Sequence, residues 1–66
     1  MKVIVNGEAR ELPDGASVAE VVASVTAVAT GVAAALNDEV VRRAEWEATP
    51  LRDADRIEVL TAVQGG

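Results

Sequence analysis

The chain has no cysteine, no histidine, no phenylalanine and no tyrosine, and its only large aromatic side chain is Trp46. Each absence removes a class of chemistry. Without cysteine there is no disulfide, zinc–thiolate site or nucleophilic thiol. Without histidine, the commonest general base near neutral pH and the commonest metal ligand are missing. Basic residues are few: Lys2, Arg10, Arg42, Arg43, Arg52 and Arg56 face 11 acidic ones, for a net charge of −5. Nucleic-acid binding, which needs clustered Lys and Arg to displace counterions, is therefore not expected. An acidic surface suits a basic patch on a protein partner. Also absent is any apolar stretch near the ~20 residues that cross a bilayer. "MKVIVNGEAR" reads as a strand and not as a signal peptide. The expectation is a cytoplasmic protein that meets no membrane and is monomeric when free.

What is present is a short chain rich in Val and Ala. Its 66 residues suffice for one domain, and a chain of that size buries only about 60% of its unfolded surface. A core of small aliphatic side chains fits a thin sheet-plus-helix sandwich better than a bulky ligand pocket.

"KVIVN" alternates, with Val3 and Val5 on one face and Ile4 on the other. Asn6-Gly7 is a hairpin signal, since a type I′ turn needs positive φ at both positions. "EARELP" is then the returning strand, with Ala9 and Leu12 inward. Ser17 and Glu20 have the spacing of a capping box. Val18, Val21, Val22 and Val25 follow as one helical stripe, and the helix is expected to end before Thr30, with Gly31 as C-terminal cap. "VAAALN" reads as a strand with Ala34 and Leu36 inward, turned by Asn37-Asp38. Val40-Val41 are briefly extended, and "RRAEW" gives one helical turn. Asp53 and Asp55 belong to a turn. In "RIEVLTAV", Ile57 and Val59 face in, while Arg56, Glu58, Leu60 and Ala62 face out. The resulting order, ββαβ, an irregular crossover and β, predicts an α+β fold. Its mixed sheet of four to five strands carries one main helix packed across one face. Residues 1–63 are expected to form the domain and 64–66 a flexible diglycine tail.

Few residues offer chemistry. Asp53 with Asp55, and Glu45 with Glu47, could pair as metal ligands. Eleven acids in a small chain must fall near one another, however, and solvated turns explain them; no metal site is expected. Trp46 either stacks on a ligand or closes one end of the core, and packing is the simpler account. Leu60 and Ala62 on the outer face, with Ile4 beside them, could form a docking patch or be scattered surface hydrophobics. The chain ends in "TAVQGG". Two glycines without Cβ atoms are either a plain end or an arm slender enough to thread a channel into another protein's active site. An α-carboxyl titrates near roughly pH 3.3–3.7 and is unreactive as an electrophile at pH 7 unless converted to a mixed anhydride.

The element order and the terminal Gly65-Gly66 resemble the β-grasp, ubiquitin-like fold. "ALNDEVVRRAEW" followed by "TPLRDADRIEVLTAVQGG" is similar to the ThiS family of thiamine-biosynthesis sulfur carriers, over essentially the whole chain. The resemblance implies a carrier and not an enzyme, with no bound cofactor and no catalytic residue. A ThiF-type, E1-like adenylyltransferase would use ATP and Mg to adenylate Gly66, and a cysteine desulfurase relay would supply sulfur to make a thiocarboxylate. A ThiG-type thiazole synthase would accept that sulfur. Gly65 and Gln64 carry over as the tail, and Leu60, Ala62 and Ile4 as the docking face. Two positions depart from the family pattern: Arg42 where proline is frequent, and Ala54 where the turn often has glycine. MoaD-like or tRNA-thiolation carriers share the ending. A ubiquitin-like modifier would instead pass the activated Gly66 to a lysine amine, and a plain binding module would leave the tail unused.

Overall fold

The structure is a computed structural model, and it describes residues 1–26 and 31–61. Seven elements follow in order: β1 (Lys2–Val5), β2 (Glu8–Glu11), α1 (Val18–Val25), β3 (Val32–Leu36), β4 (Glu39–Val41), a 3-10 turn (Arg43–Glu45) and β5 (Arg56–Thr61). The five strands form one mixed sheet in the order β2-β1-β5-β3-β4. β5 is central, parallel to β1 and antiparallel to β3. With α1 across one face, this is the α+β, β-grasp architecture expected from the sequence.

Both hairpins are built on left-handed asparagines. Asn6 and Gly7 have φ of 50° and 85°, and Asn37 and Asp38 have 50° and 72°. This is the type I′ signature, whose twist matches that of the flanking strands. The two-residue turn also fixes register. Because Val5 pairs with Glu8, Ala9 stands opposite Ile4, and cross-strand partners share a face. Ala9 is therefore exposed on the outer face, not inward as expected, and all of β2 is exposed. Leu12, beyond the strand, is half-buried against the core as anticipated.

The helix spans eight residues, too short to be stable in isolation. Val18, Val21 and Val22 pack it onto Val3, Val5, Ala34, Ile57 and Val59, with Trp46 and Leu51 closing the core. Its first N–H groups, which no helix can satisfy internally, find partners outside it. Val18 N–H donates to Thr49 O at 3.0 Å, Ala19 N–H to Trp46 O at 3.2 Å, and Glu20 N–H to Ser17 Oγ at 3.4 Å. Only the Ser17 half of the capping box forms. Segment 46–51 thus straps the helix N-terminus, and Leu51 N–H to Ala16 O at 2.8 Å ties its far side. The helix ends earlier than expected, with Thr26, not Gly31, as its C-cap. Thr26 is extended, with φ −144°, and its N–H donates to Val22 O. Gly31, with φ 74°, instead turns the chain before β3.

The turn before β5 keeps a left-handed residue although it lacks glycine: Ala54 has φ 74°. Asp55 N–H donates to Arg52 O at 3.1 Å, closing the turn, and Ala54 N–H donates to Lys2 O at 2.7 Å. Carboxylates brace it, with Asp53 Oδ1 accepting from Lys2 N–H at 2.7 Å and Asp55 Oδ2 from Arg52 N–H at 2.8 Å. Left-handed alanine costs about 1–2 kcal/mol, while glycine adds unfolded-state entropy of about 0.4–1 kcal/mol. Ala54→Gly should therefore stabilise the fold by about 0.5–1 kcal/mol. The corresponding rise in Tm is roughly 2–8 °C for a domain of this size. A urea midpoint that stays put or falls would show that the bracing bonds, and not the φ angle, set the turn's energy.

Candidate functional site

Of the site residues expected from sequence, Ala62, Gln64, Gly65 and Gly66 lie outside the described residues, as does the proposed boundary between domain and tail. Ile4 and Leu60 are described, and the sheet positions both. The alternation of β5 sends Ile57 and Val59 into the core and leaves Arg56, Glu58 and Leu60 on the outer face. Leu60 is 63% exposed. It is also the last outward residue before Thr61, where the described strand ends.

The sheet does not bring Ile4 to Leu60. Ile4 pairs with Arg56, and Leu60 lies four residues further along β5, about 13 Å away at strand rise. Ile4, half-buried, instead borders a shallow depression with Ala35, Arg56 and Glu58. Leu60 pairs with Ala33, the next outward position of β3 is Ala35, and Ala35 pairs with Val40 of β4. The apolar outer patch is thus Leu60, Ala33, Ala35 and Val40, and Val40 is 77% exposed. Val40-Val41, expected from sequence only as a brief extended piece, thus divide between the two faces. The signal for separating them was the period of two: with Val41 packed on the core, Val40 must face out.

β5 is held on both sides by backbone pairing and by two asparagine side chains. On the β3 side, Asn37 N–H donates to Arg56 O at 2.7 Å, and Asn37 Oδ1 accepts from Arg56 N–H at 3.0 Å. Asn37 Nδ2 reaches Asp55 Oδ1 at 3.1 Å. On the β1 side, Asn6 N–H donates to Ile57 O at 3.0 Å. The Asn6 side-chain amide then pairs with Val59, accepting from its N–H at 2.8 Å and donating to its C=O at 3.4 Å. Arg56 and Asp38 form an exposed ion pair at 3.4 Å, of a kind that contributes little to stability.

Among the described residues, one other concavity stands out. A broad groove of about 740 Å³ runs between α1 and the 3-10 turn, floored by Ala19, Ala23, Ala44 and Trp46. Trp46 itself is a core residue, 5% exposed, with Nε1 donating to Val41 O at 2.8 Å. Among the described residues no three acidic side chains converge as a metal site would require, and no helix is long and apolar enough to cross a membrane. Asp53 and Asp55 are occupied as turn acceptors.

Comparison with known proteins agrees with this geometry. The ThiS family model matches residues 3–66. The sulfur carrier protein ThiS of Thermus thermophilus is 41% identical over 64 residues, covering 97% of this chain and 98% of that one. The crystal structure of the thiamine biosynthesis protein ThiS from Geobacter metallireducens superposes with a TM-score of 0.82 at 32% identity, over the whole of both chains. A solution structure of a thiamine biosynthesis protein from the same organism gives 0.74 at 33% identity, over all of this chain and 88% of that one. The family model, the relative matched along nearly its whole length and the shared fold all agree: the chain belongs to the ThiS family.

Proposed function

We propose that this protein is a sulfur carrier of thiamine thiazole biosynthesis, acting in the cytoplasm, with the α-carboxylate of Gly66 as its working group. The observation that carries this reading is the match along nearly the full length to a protein named a sulfur carrier. The fold supports it. β5, the central strand, is paired on both flanks, and "AVQGG" follows it in sequence.

The chemistry belongs to partner enzymes. A carboxylate oxygen of Gly66 attacks the α-phosphorus of ATP on a Mg-dependent, E1-like activating enzyme, and pyrophosphate leaves. The terminal sulfur of a cysteine persulfide then attacks the acyl carbon, and AMP departs with the bonding pair. A second thiol reduces the sulfur–sulfur bond, leaving a thiocarboxylate on Gly66 and a disulfide elsewhere. A thiazole synthase takes that sulfur. The carrier contributes a stable body, an arm narrow at Gly65 and Gly66, and an outer patch around Leu60 for docking.

Intact mass tests this directly. After incubation with ATP, Mg, the activating enzyme and a persulfide donor, the chain should gain the mass difference of one oxygen replaced by sulfur. Deletion of Gly66 should abolish the gain. An unmodified carboxyl beside a competent enzyme would overturn the reading, and conjugates to lysine would make the protein a modifier instead.

A further inference from the structure

The two flanks of β5 are not equivalent near the point where the tail begins. On the β3 side the ladder runs on to Thr61, which pairs with Val32. On the β1 side it stops early. β1 ends at Val5, the chain turns away at Asn6-Gly7, and the last backbone bond to β5 is Asn6 N–H to Ile57 O. Backbone groups of alternate residues point to the same flank of a strand. Val59 would therefore be the first residue of β5 to lose its partner on this side. The Asn6 amide replaces that missing rung with both a donor and an acceptor.

This is more than the turn requires. A type I′ turn needs positive φ at its first position, which glycine supplies as well as asparagine. The side-chain amide is additional, and it acts two residues before the described strand ends. Six residues separate Val59 from Gly66. The five residues after Thr61 can reach at most about 18 Å, so the place and direction in which β5 ends bound where the carboxylate can be presented. Rate depends steeply on such placement.

We infer that Asn6 is a positioning residue for the transfer reaction: its amide fixes the direction in which β5 delivers Gly66 to the activating enzyme. The inference rests on the carrier reading above. Asn6 touches no reacting atom and acts through Val59.

The test compares wild type with Asn6→Gly and Asn6→Asp in the full chain. Glycine keeps the turn and removes the amide, while aspartate keeps an oxygen that can accept from Val59 N–H. Adenylate formation is followed by ATP–pyrophosphate exchange at varied carrier concentration, and amide hydrogen exchange is followed at Val59, Glu58 and Leu60. For Asn6→Gly, kcat should fall about fivefold or more with KM unchanged, because the docking patch is intact. Val59 should exchange at least about tenfold faster, while Glu58 and Leu60, which face β3, keep their protection. Asn6→Asp should recover both the protection and most of kcat. A kcat within twofold of wild type in Asn6→Gly overturns the proposal. So does a uniform loss of protection at all three amides, or a kcat defect that aspartate leaves unrelieved. If wild type itself is not adenylated by an enzyme competent on another carrier, the carrier reading fails and this proposal falls with it. If wild type and Asn6→Gly are adenylated equally, only this proposal fails.

Discussion

Trp46→Ala should leave the chain largely unfolded at room temperature. Trp46 is 5% exposed and closes one end of a core otherwise made of small aliphatic side chains. Truncating a buried tryptophan costs about 3–5 kcal/mol through lost transfer energy and the cavity left behind. At the usual 0.05–0.15 kcal/mol per residue, a domain of this length has roughly 3–10 kcal/mol in total. Two further losses compound the first. The indole N–H bond to Val41 O disappears, freeing the end of β4. The strap that receives the helix N–H groups also loses the side chain that seats it in the core, although the Trp46 carbonyl that accepts from Ala19 N–H is backbone and remains. Trp46→Phe keeps an aromatic ring and loses the Nε1 donor, so it should cost about 1–2 kcal/mol. Urea denaturation followed by far-ultraviolet circular dichroism measures both. A Trp46→Ala chain within about 1 kcal/mol of wild type would return Trp46 to the alternative role of stacking on a ligand.

The strap explains why some of this fold was legible in the sequence and some was not. Local signals act within a few residues. The Val3/Ile4/Val5 alternation, the Asn6-Gly7 and Asn37-Asp38 turns, the Ser17 cap and the valine stripe of α1 each became the element they indicate. What pairs with what across the chain has no such signal. That Trp46 and Thr49 carbonyls satisfy the start of α1 depends on a segment some 30 residues away, and backbone carbonyls carry no sequence signature. Ala9 was misplaced because its strand was read alone. Once the turn pairs Val5 with Glu8, Ala9 must share the face of Ile4. Gly31 resembled a helix cap by composition, yet α1 stops at Val25, five residues before the glycine is reached. The second roles of Asn6 and Asn37 were hidden because a left-handed turn already explains asparagine at both positions. For the candidate site, the tail was singled out from its two glycines. The outer patch was legible only in part, since Leu60 follows from the period of β5, whereas the neighbour it gains through Ala33 and Ala35 is set by register.

That register yields the second large effect. Leu60→Asp should raise the KM of the carrier for its activating enzyme by roughly 30- to 100-fold and leave kcat nearly unchanged. Leu60 is 63% exposed in the free protein, so the substitution removes no core contact. The fold should lose less than about 1 kcal/mol, the span of strand propensities. In a docked complex the same position would be covered. Burying a leucine side chain is worth about 1.5–3 kcal/mol, and an uncompensated carboxylate in its place adds a desolvation cost. At 1.4 kcal/mol per tenfold, a loss of about 2–3 kcal/mol corresponds to the stated range. Leu60→Ala, which only truncates, should raise KM about fivefold. Val40→Asp reports how far the covered surface extends across the sheet. A rise in KM means that the partner spans β5 to β4, and no change confines it to the neighbourhood of the tail. If Leu60→Asp keeps KM within twofold of wild type, the outer face is not where the enzyme docks. Combined with the Asn6 variants, the measurement separates two functions of one strand. On the proposed reading, the outward side chain of β5 would set how tightly the carrier is held, and the amide clamped to its β1 flank how well the carboxylate is aimed. Defects in KM and in kcat should therefore fall on different residues, Leu60 on β5 and Asn6 in the turn beside it, and the Leu60→Asp/Asn6→Gly double variant should show both in full, since the two act at separate steps.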